Sequence, residues 1–317
     1  MTTTSSYKHV MRQLYESHYV NHSGYSAVTS SHWQEIGDHK ASLIDESFEL
    51  KGAGFGHRLK RDWLRQCYSI PEKIMMRWML SQYPDLKWIY SLAKEVAVKQ
   101  GTVFGYDCLR QALSLAIIVR NMSNDVGVLK SKGGRVCIIG DGYGYLACLF
   151  RKVFSTVQII EVNLGRTLLF DAEYIQKVYP NEEVAILQSQ SDCNGINETD
   201  AAFVFLEAEK YELIEYLPVD LFVNVASMQE MNISVVQNYL QYMRNSQSDK
   251  KFFYCCNRLE KLLPDGEVIR FSEYGWRDED MVMLDELCPW YQKFPVPYPP
   301  FWKSFDGPIQ HRFLRMK

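Results

Sequence analysis

A chain of 317 residues can hold one large domain or two modest ones. A formal charge of −3, without any long Lys/Arg run, argues against a nucleic-acid surface. No apolar run is long enough to span a bilayer, the first residues lack a signal-peptide core, and 8 cysteines without a C-x-x-C pair suit a reducing cytoplasm.

In chain order, residues 1–55 are polar, and Trp33 with Ile36 is expected to anchor a short helix. Gly52, Gly54 and Gly56 break the chain before His57 and Arg58, as a plain turn or as a loop closing over a cofactor. Residues 62–100 carry a helical pattern. Trp63, Leu64 and Cys67 mark an apolar face, Pro71 divides two helices, and Ile74, Trp78 and Met79 continue the face. Residues 86–98 form a further amphipathic segment, and 106–121 another helix with Leu109, Leu113, Ile117 and Ile118 inward. Residues 1–130 therefore read as a mainly helical cap or dimerisation layer that also shapes a substrate site, which makes a homodimer a candidate assembly. Residues 131–317 read as an α/β nucleotide-binding domain.

That domain opens with the stretch RVCIIGDGYGYLACLF, residues 135–150. Residues 135–139 are a buried parallel strand by pattern; Gly140, Gly142 and Gly144 follow, and then a helix. Strand, glycine turn and helix lay a ligand against backbone N–H groups, with Asp141 and Tyr143 inside the turn. A second strand, 157–160, ends in Glu161, placed to accept hydrogen bonds from two ribose hydroxyls. Two cofactors fit such a unit, a nicotinamide dinucleotide and S-adenosylmethionine. The dinucleotide pattern G-x-G-x-x-G fails in its natural register at Tyr145, but Gly142-x-Gly144-x-x-Ala147 matches a variant of it.

Further on, 164–178 is a helix, 184–187 and 201–206 are short strands, and either of these can be the third sheet strand. Residues 188–199 read as a loop. Strand 219–225 is followed by Ser227 to Met231 and a helix over 233–244. Strand 252–256 ends in Asn257 and Arg258. Polar groups at these strand ends, Asn224 and Ser227 among them, are expected to point into the ligand crevice. The run FPVPYPPFW, 294–302, is an irregular packed loop or a sugar-stacking wall, and 311–316 is a last strand.

Three stretches, IIGDGYG, residues 224–231 with SMQEM, and 254–258, resemble the sugar O-methyltransferase family over roughly 135–316. The resemblance implies a Rossmann-like class I methyltransferase sheet, S-adenosylmethionine as cofactor, and a sugar hydroxyl of a bacterial surface glycan or glycosylated metabolite as acceptor. It implies that Gly140, Gly142 and Gly144 line the methionine and ribose side and that Glu161 holds the ribose. The acid often found two positions before the first glycine is replaced by Ile138, with Asp141 as the compensating candidate.

Methyl transfer to an alcohol is helped by a general base, and Glu230 and His311 are the candidates. Asn257 and Arg258 are candidates for hydrogen bonds to a sugar or an adjacent anionic sugar. No His, Asp and Glu cluster has metal-ligand spacing. An NAD-dependent oxidoreductase using the Gly142 register and a non-catalytic nucleotide-binding protein are the competing readings.

Overall fold

The computed structural model describes residues 6–20, 28–36, 40–44, 47–51, 69–296 and 298–317. The turn at Gly52, Gly54 and Gly56 with His57 and Arg58, and the face at Trp63, Leu64 and Cys67, lie outside the described residues.

The first third holds α1 (Tyr7–Tyr15), α2 (Ser31–Ile36), a hairpin of β1 (Lys40–Ile44) and β2 (Ser47–Lys51), α3 (Ile70–Gln82), α4 (Ile89–Lys99), α5 (Tyr106–Met122) and the short α6 (Gly127–Lys130). Ser6 caps α1 by accepting from the His9 N–H, and Pro71 sits in the first turn of α3, where a missing N–H costs nothing. The buried side of α3 is Met75, Met76 and Met79, whereas Ile74 and Trp78 are 50% and 56% exposed. The expected face at Ile74 and Trp78 is thus rotated by about one residue. Helix α5 is buried almost all round, from Tyr106 and Leu109 to Ile118, as befits a central helix.

The remainder alternates β3 (Arg135–Ile139), α7 (Tyr145–Val153), β4 (Gln158–Asn163), α8 (Gly165–Val178), β5 (Val184–Leu187), α9 (Gln190–Asn194), β6 (Phe203–Glu207), β7 (Leu221–Val225), α10 (Ile233–Asn245) and β8 (Lys251–Arg258). It ends with β9 (Glu260–Leu262), β10 (Val268–Arg270), β11 (Met281–Leu287), β12 (Lys293–Pro295), β13 (Trp302–Ser304) and β14 (Ile309–Met316). Among the described residues eight strands form one sheet in the order β11-β14-β8-β7-β3-β4-β6-β5. Strands β3 to β8 run parallel in it; β14 is antiparallel to both β8 and β11. Both candidate third strands are present: β6 pairs with β4, and β5 is the outer edge. β3, β6 and β7 are buried along their whole length, which is why they read as unbroken apolar runs.

One sheet face packs on α1, α4, α5, α7 and α8, and the other on α9, α10 and the 208–216 segment. The helices of the first third share the first of these cores with β3, β4 and β8. Seven described cysteines are free and buried. No described helix is long and apolar enough to cross a membrane.

Candidate functional site

The carboxyl ends of β3, β4, β7 and β8 converge on the glycine turn. Gly140, Gly142, Tyr143 and Gly144 have φ of 73°, 64°, 73° and 59°, a left-handed run that glycine tolerates best. A Cβ on Gly140 would stand 2.3 Å from Ser227 Oγ, and one on Gly144 2.4 Å from Ile175 Cγ1. Close approach as well as backbone angle therefore requires glycine there. Tyr143 bears its positive φ inside a cluster of edge-on rings, with Phe170 at 5.7 Å and Tyr174 at 5.3 Å.

The N–H groups of Gly140 and Tyr143 in this turn, and of Leu146 and Ala147 just after it, are occupied by the protein itself. Asp141 accepts from Leu146 N at 2.9 Å and Ala147 N at 2.7 Å, capping α7. Asp171, from α8, accepts from Tyr143 N at 2.6 Å and from Asn163 Nδ2 at 2.9 Å. Gly140 N donates to Val162 O at 2.8 Å. This corrects the expectation that a ligand lies against these donors. Asp171 was missed by sequence reasoning; the available signal was an acid within the apolar run Leu168 to Ala172.

Glu161 joins this pair. It is 0% exposed, and neither carboxylate oxygen has a hydrogen-bond partner. It lies behind the cavity wall, which Val162 and Asn163 form at this strand end. Burial pushes Asp141 up to about 8, with the charge of Asp171 adding to it, and burial pushes Asp171 up to about 7. Glu161 rises well above the carboxylate range through burial and then through Asp141 and Asp171.

Asn224 and Asn257, expected at the ligand, are instead a fully buried brace. Asn224 Nδ2 donates to Ile139 O at 2.8 Å, and its Oδ1 accepts from Met228 N at 3.2 Å and Asn257 Nδ2 at 2.8 Å. Asn257 Oδ1 accepts from Gln229 N at 3.0 Å. Ser227 Oγ donates to Ile139 O at 2.9 Å and also reaches the cavity. The brace ties the turn after β7 to the ends of β3 and β8, because each buried polar atom needs a partner.

The cavity measures about 410 Å³. Gly140 to Tyr143 form its floor; Asn163, Leu164 and Thr167 close the β4 side. Ser30 and Trp33 reach it from α2 and the residues just before, and Arg110 and Gln111 from α5. Tyr291 and Phe305 add aromatic faces. The 294–302 run does not supply this wall: Tyr298, Phe301 and Trp302 are exposed on and beside the β12–β13 hairpin.

Glu230 and Arg258 do line the cavity. Glu230 Oε1 is 3.1 Å from Lys261 Nζ and 3.4 Å from His32 Nε2. Burial raises its pKa, but His32 and Lys261 outweigh burial and hold the carboxyl below its ordinary range. An ionised, paired carboxylate is a better hydrogen-bond acceptor than a proton store. Arg258 keeps Nε unpartnered while Nη1 meets Asp306 at 3.1 Å.

His311 is not at the cavity. It is fully buried on β14, with Nδ1 3.1 Å from Tyr254 Oη and Nε2 3.4 Å from Glu286. Burial lowers its pKa against the pull of Glu286, so it is a neutral, partnered core histidine. Strand alternation turns it toward the α5 layer with Phe313 and Tyr254. Among the described residues no group of three or more His, Cys, Asp or Glu is arranged to hold a metal ion.

The sheet is Rossmann-like, with ligand-facing loops at the carboxyl ends of its parallel strands. No protein-family model and no curated protein matches the sequence. Solved structures it is similar to include magnesium protoporphyrin IX methyltransferase from Synechocystis PCC 6803 with bound SAH, at 8% identity over 78% of this chain and 100% of that one, TM-score 0.41. TrmN from Thermus thermophilus matches at 10% identity over 65% of this chain and 49% of that one, TM-score 0.37. The mitomycin 7-O-methyltransferase MmcR matches at 11% identity over 66% and 57%, TM-score 0.36. The chain spans about half the length of the last two, 49% and 57%.

Proposed function

We propose that the chain is an S-adenosylmethionine-dependent O-methyltransferase acting on a sugar hydroxyl, of a surface glycan or a glycosylated metabolite. The observation that carries this reading is the buried carboxylate group under the glycine turn. A pyrophosphate needs free N–H donors at the helix start, and here Asp141 takes those of Leu146 and Ala147 and Asp171 takes that of Tyr143. Glu161 has two orphaned oxygens but stands behind Val162 and Asn163, so it meets the two hydroxyls of a ribose only where that wall shifts on binding.

When bound, S-adenosylmethionine supplies an electrophilic methyl group on a sulfonium. The chain's own part is alignment and exclusion of water. Glu230, ionised by its pairing, accepts from the acceptor hydroxyl and orients it. Trp33, Tyr291 and Phe305 give apolar faces for a sugar ring to stack on. The 1–130 region acts as a cap, with Ser30 and Trp33 closing one side.

Calorimetric titration with S-adenosylmethionine, S-adenosylhomocysteine and NAD tests this. Saturable binding of the first two and none of NAD is expected. NAD binding without S-adenosylhomocysteine binding overturns it.

A further inference from the structure

We propose that the acceptor carries an anionic group, a carboxylate or a phosphate, held between Arg110 and Arg258. The inference rests on reading this cavity as the acceptor side of a methyl-transfer site.

Both guanidinium groups line the cavity and both are under-satisfied. Arg110 is only 12% exposed at its side chain, yet Nε and Nη1 have no hydrogen-bond partner. Its one carboxylate partner is Asp107, through Nη2, and that side chain is half in solvent. Enclosing a guanidinium without full pairing is costly unless a ligand completes it. Three rings fix its plane: Tyr291 at 4.3 Å, Phe305 at 4.9 Å and Tyr106 at 5.4 Å from the guanidinium carbon. A fork held this way is pre-organised for two parallel bonds to a carboxylate or phosphate.

Arg258 reaches the same segment. Its Nη1 pairs with Asp306, next to the Phe305 that carries Arg110. Asp306 is 96% exposed at its side chain, so that pair is weakly held. The carboxylates at the wall have partners of their own: Glu230 is engaged by Lys261 and His32, Asp141 caps α7, and Asp107 meets only Nη2 of Arg110.

The test uses the full chain saturated with S-adenosylhomocysteine, whose binding is measured first. Melting temperature is followed against inorganic phosphate and against acetate, at constant ionic strength balanced with chloride. A saturable rise with at least one anion is expected, and the tighter of the two identifies the acceptor's group. Arg110→Gln and Arg258→Gln should each weaken the half-saturation point by about tenfold, the worth of one charge-assisted hydrogen bond. Arg110→Lys, which keeps charge but not the fork, should fall between. Affinity for S-adenosylhomocysteine should stay at the wild-type value in all three. No saturable effect in the wild type, or the same half-saturation in Arg258→Gln and whichever Arg110 variant folds, overturns the proposal. Failure of S-adenosylhomocysteine to bind the wild type overturns the methyltransferase reading instead.

Discussion

Asp141, Glu161 and Asp171 make this protein sensitive to pH in a defined direction. Asp141 and Asp171 move from an ordinary value of 3.8 to about 8 and about 7 on folding. The folded chain then holds more protons than the unfolded one, so the stabilisation is complete below the unfolded value and disappears as pH rises through the folded values. Melting temperature of the ligand-free protein should therefore fall between about pH 4 and about pH 8. Ribose hydroxyls prefer an ionised Glu161, which burial keeps protonated, so S-adenosylhomocysteine should bind more tightly as pH rises. Glu161→Gln should flatten the binding curve, leave the melting curve that Asp141 and Asp171 set, and weaken binding by about tenfold, from the loss of charge-assisted hydrogen bonds. A melting temperature that does not change with pH would sink this assignment. Glu230 is a separate case. Its pKa is lowered, so Glu230→Gln should raise the acceptor KM and slow turnover while the acid limb of the rate profile and the cofactor affinity keep their wild-type values. Flattening of that limb would make Glu230 the base after all. Arg258 and Glu230 could be singled out in the sequence because one ends a strand and the other follows one closely. Glu161 drew the eye for the same reason, but β4 runs on to Asn163 and leaves it inside the strand. Arg110 could not be found, because a lone Arg in an amphipathic helix reads as its solvent face.

At the scale of elements, the turn after β7 and the glycine turn after β3 behave as one unit. Gly140→Ala puts a methyl against Ser227 Oγ at a left-handed φ, so it should lower stability and cofactor affinity together. Adding Ser227→Gly relieves the contact but not the backbone strain, and should recover stability only in part. Asn224→Ala removes the centre of the brace and should cost about 2–4 kcal/mol in urea unfolding, from several buried groups left unpaired. Wild-type stability in Asn224→Ala would show the two turns to be independent. The parallel strands were legible because burial on both faces writes a continuous apolar run. The brace was not: Asn224 and Asn257 sit where ligand-facing side chains usually sit, and only their mutual distance distinguishes a brace from a binding group. His311 was misjudged similarly, since strand position does not tell which face is enclosed. β11 escaped notice because Met281, Val282 and Leu287 are exposed and its pattern does not alternate cleanly.

Across the whole molecule, the first third is energetically joined to the sheet. Tyr7, Val10, Met11 and Leu14 of α1 belong to the core that also holds Val136, Ile159 and Tyr254. Leu14→Ala should cost about 2–4 kcal/mol and move a single unfolding transition, not detach an early one. Two separated transitions would mean that α1 unfolds by itself. The cysteines give this cooperativity a clock. Seven thiols are shut inside, and burial pushes those of Cys137 and Cys148 well above the usual thiol range. An alkylating reagent can reach them only through open forms of the chain. In a Cys67→Ser background, the rate at which mass is added would report opening at positions from Cys108 on α5 to Cys288 near β11, turning ordinary thiol labelling into a residue-by-residue timer of how this protein comes apart.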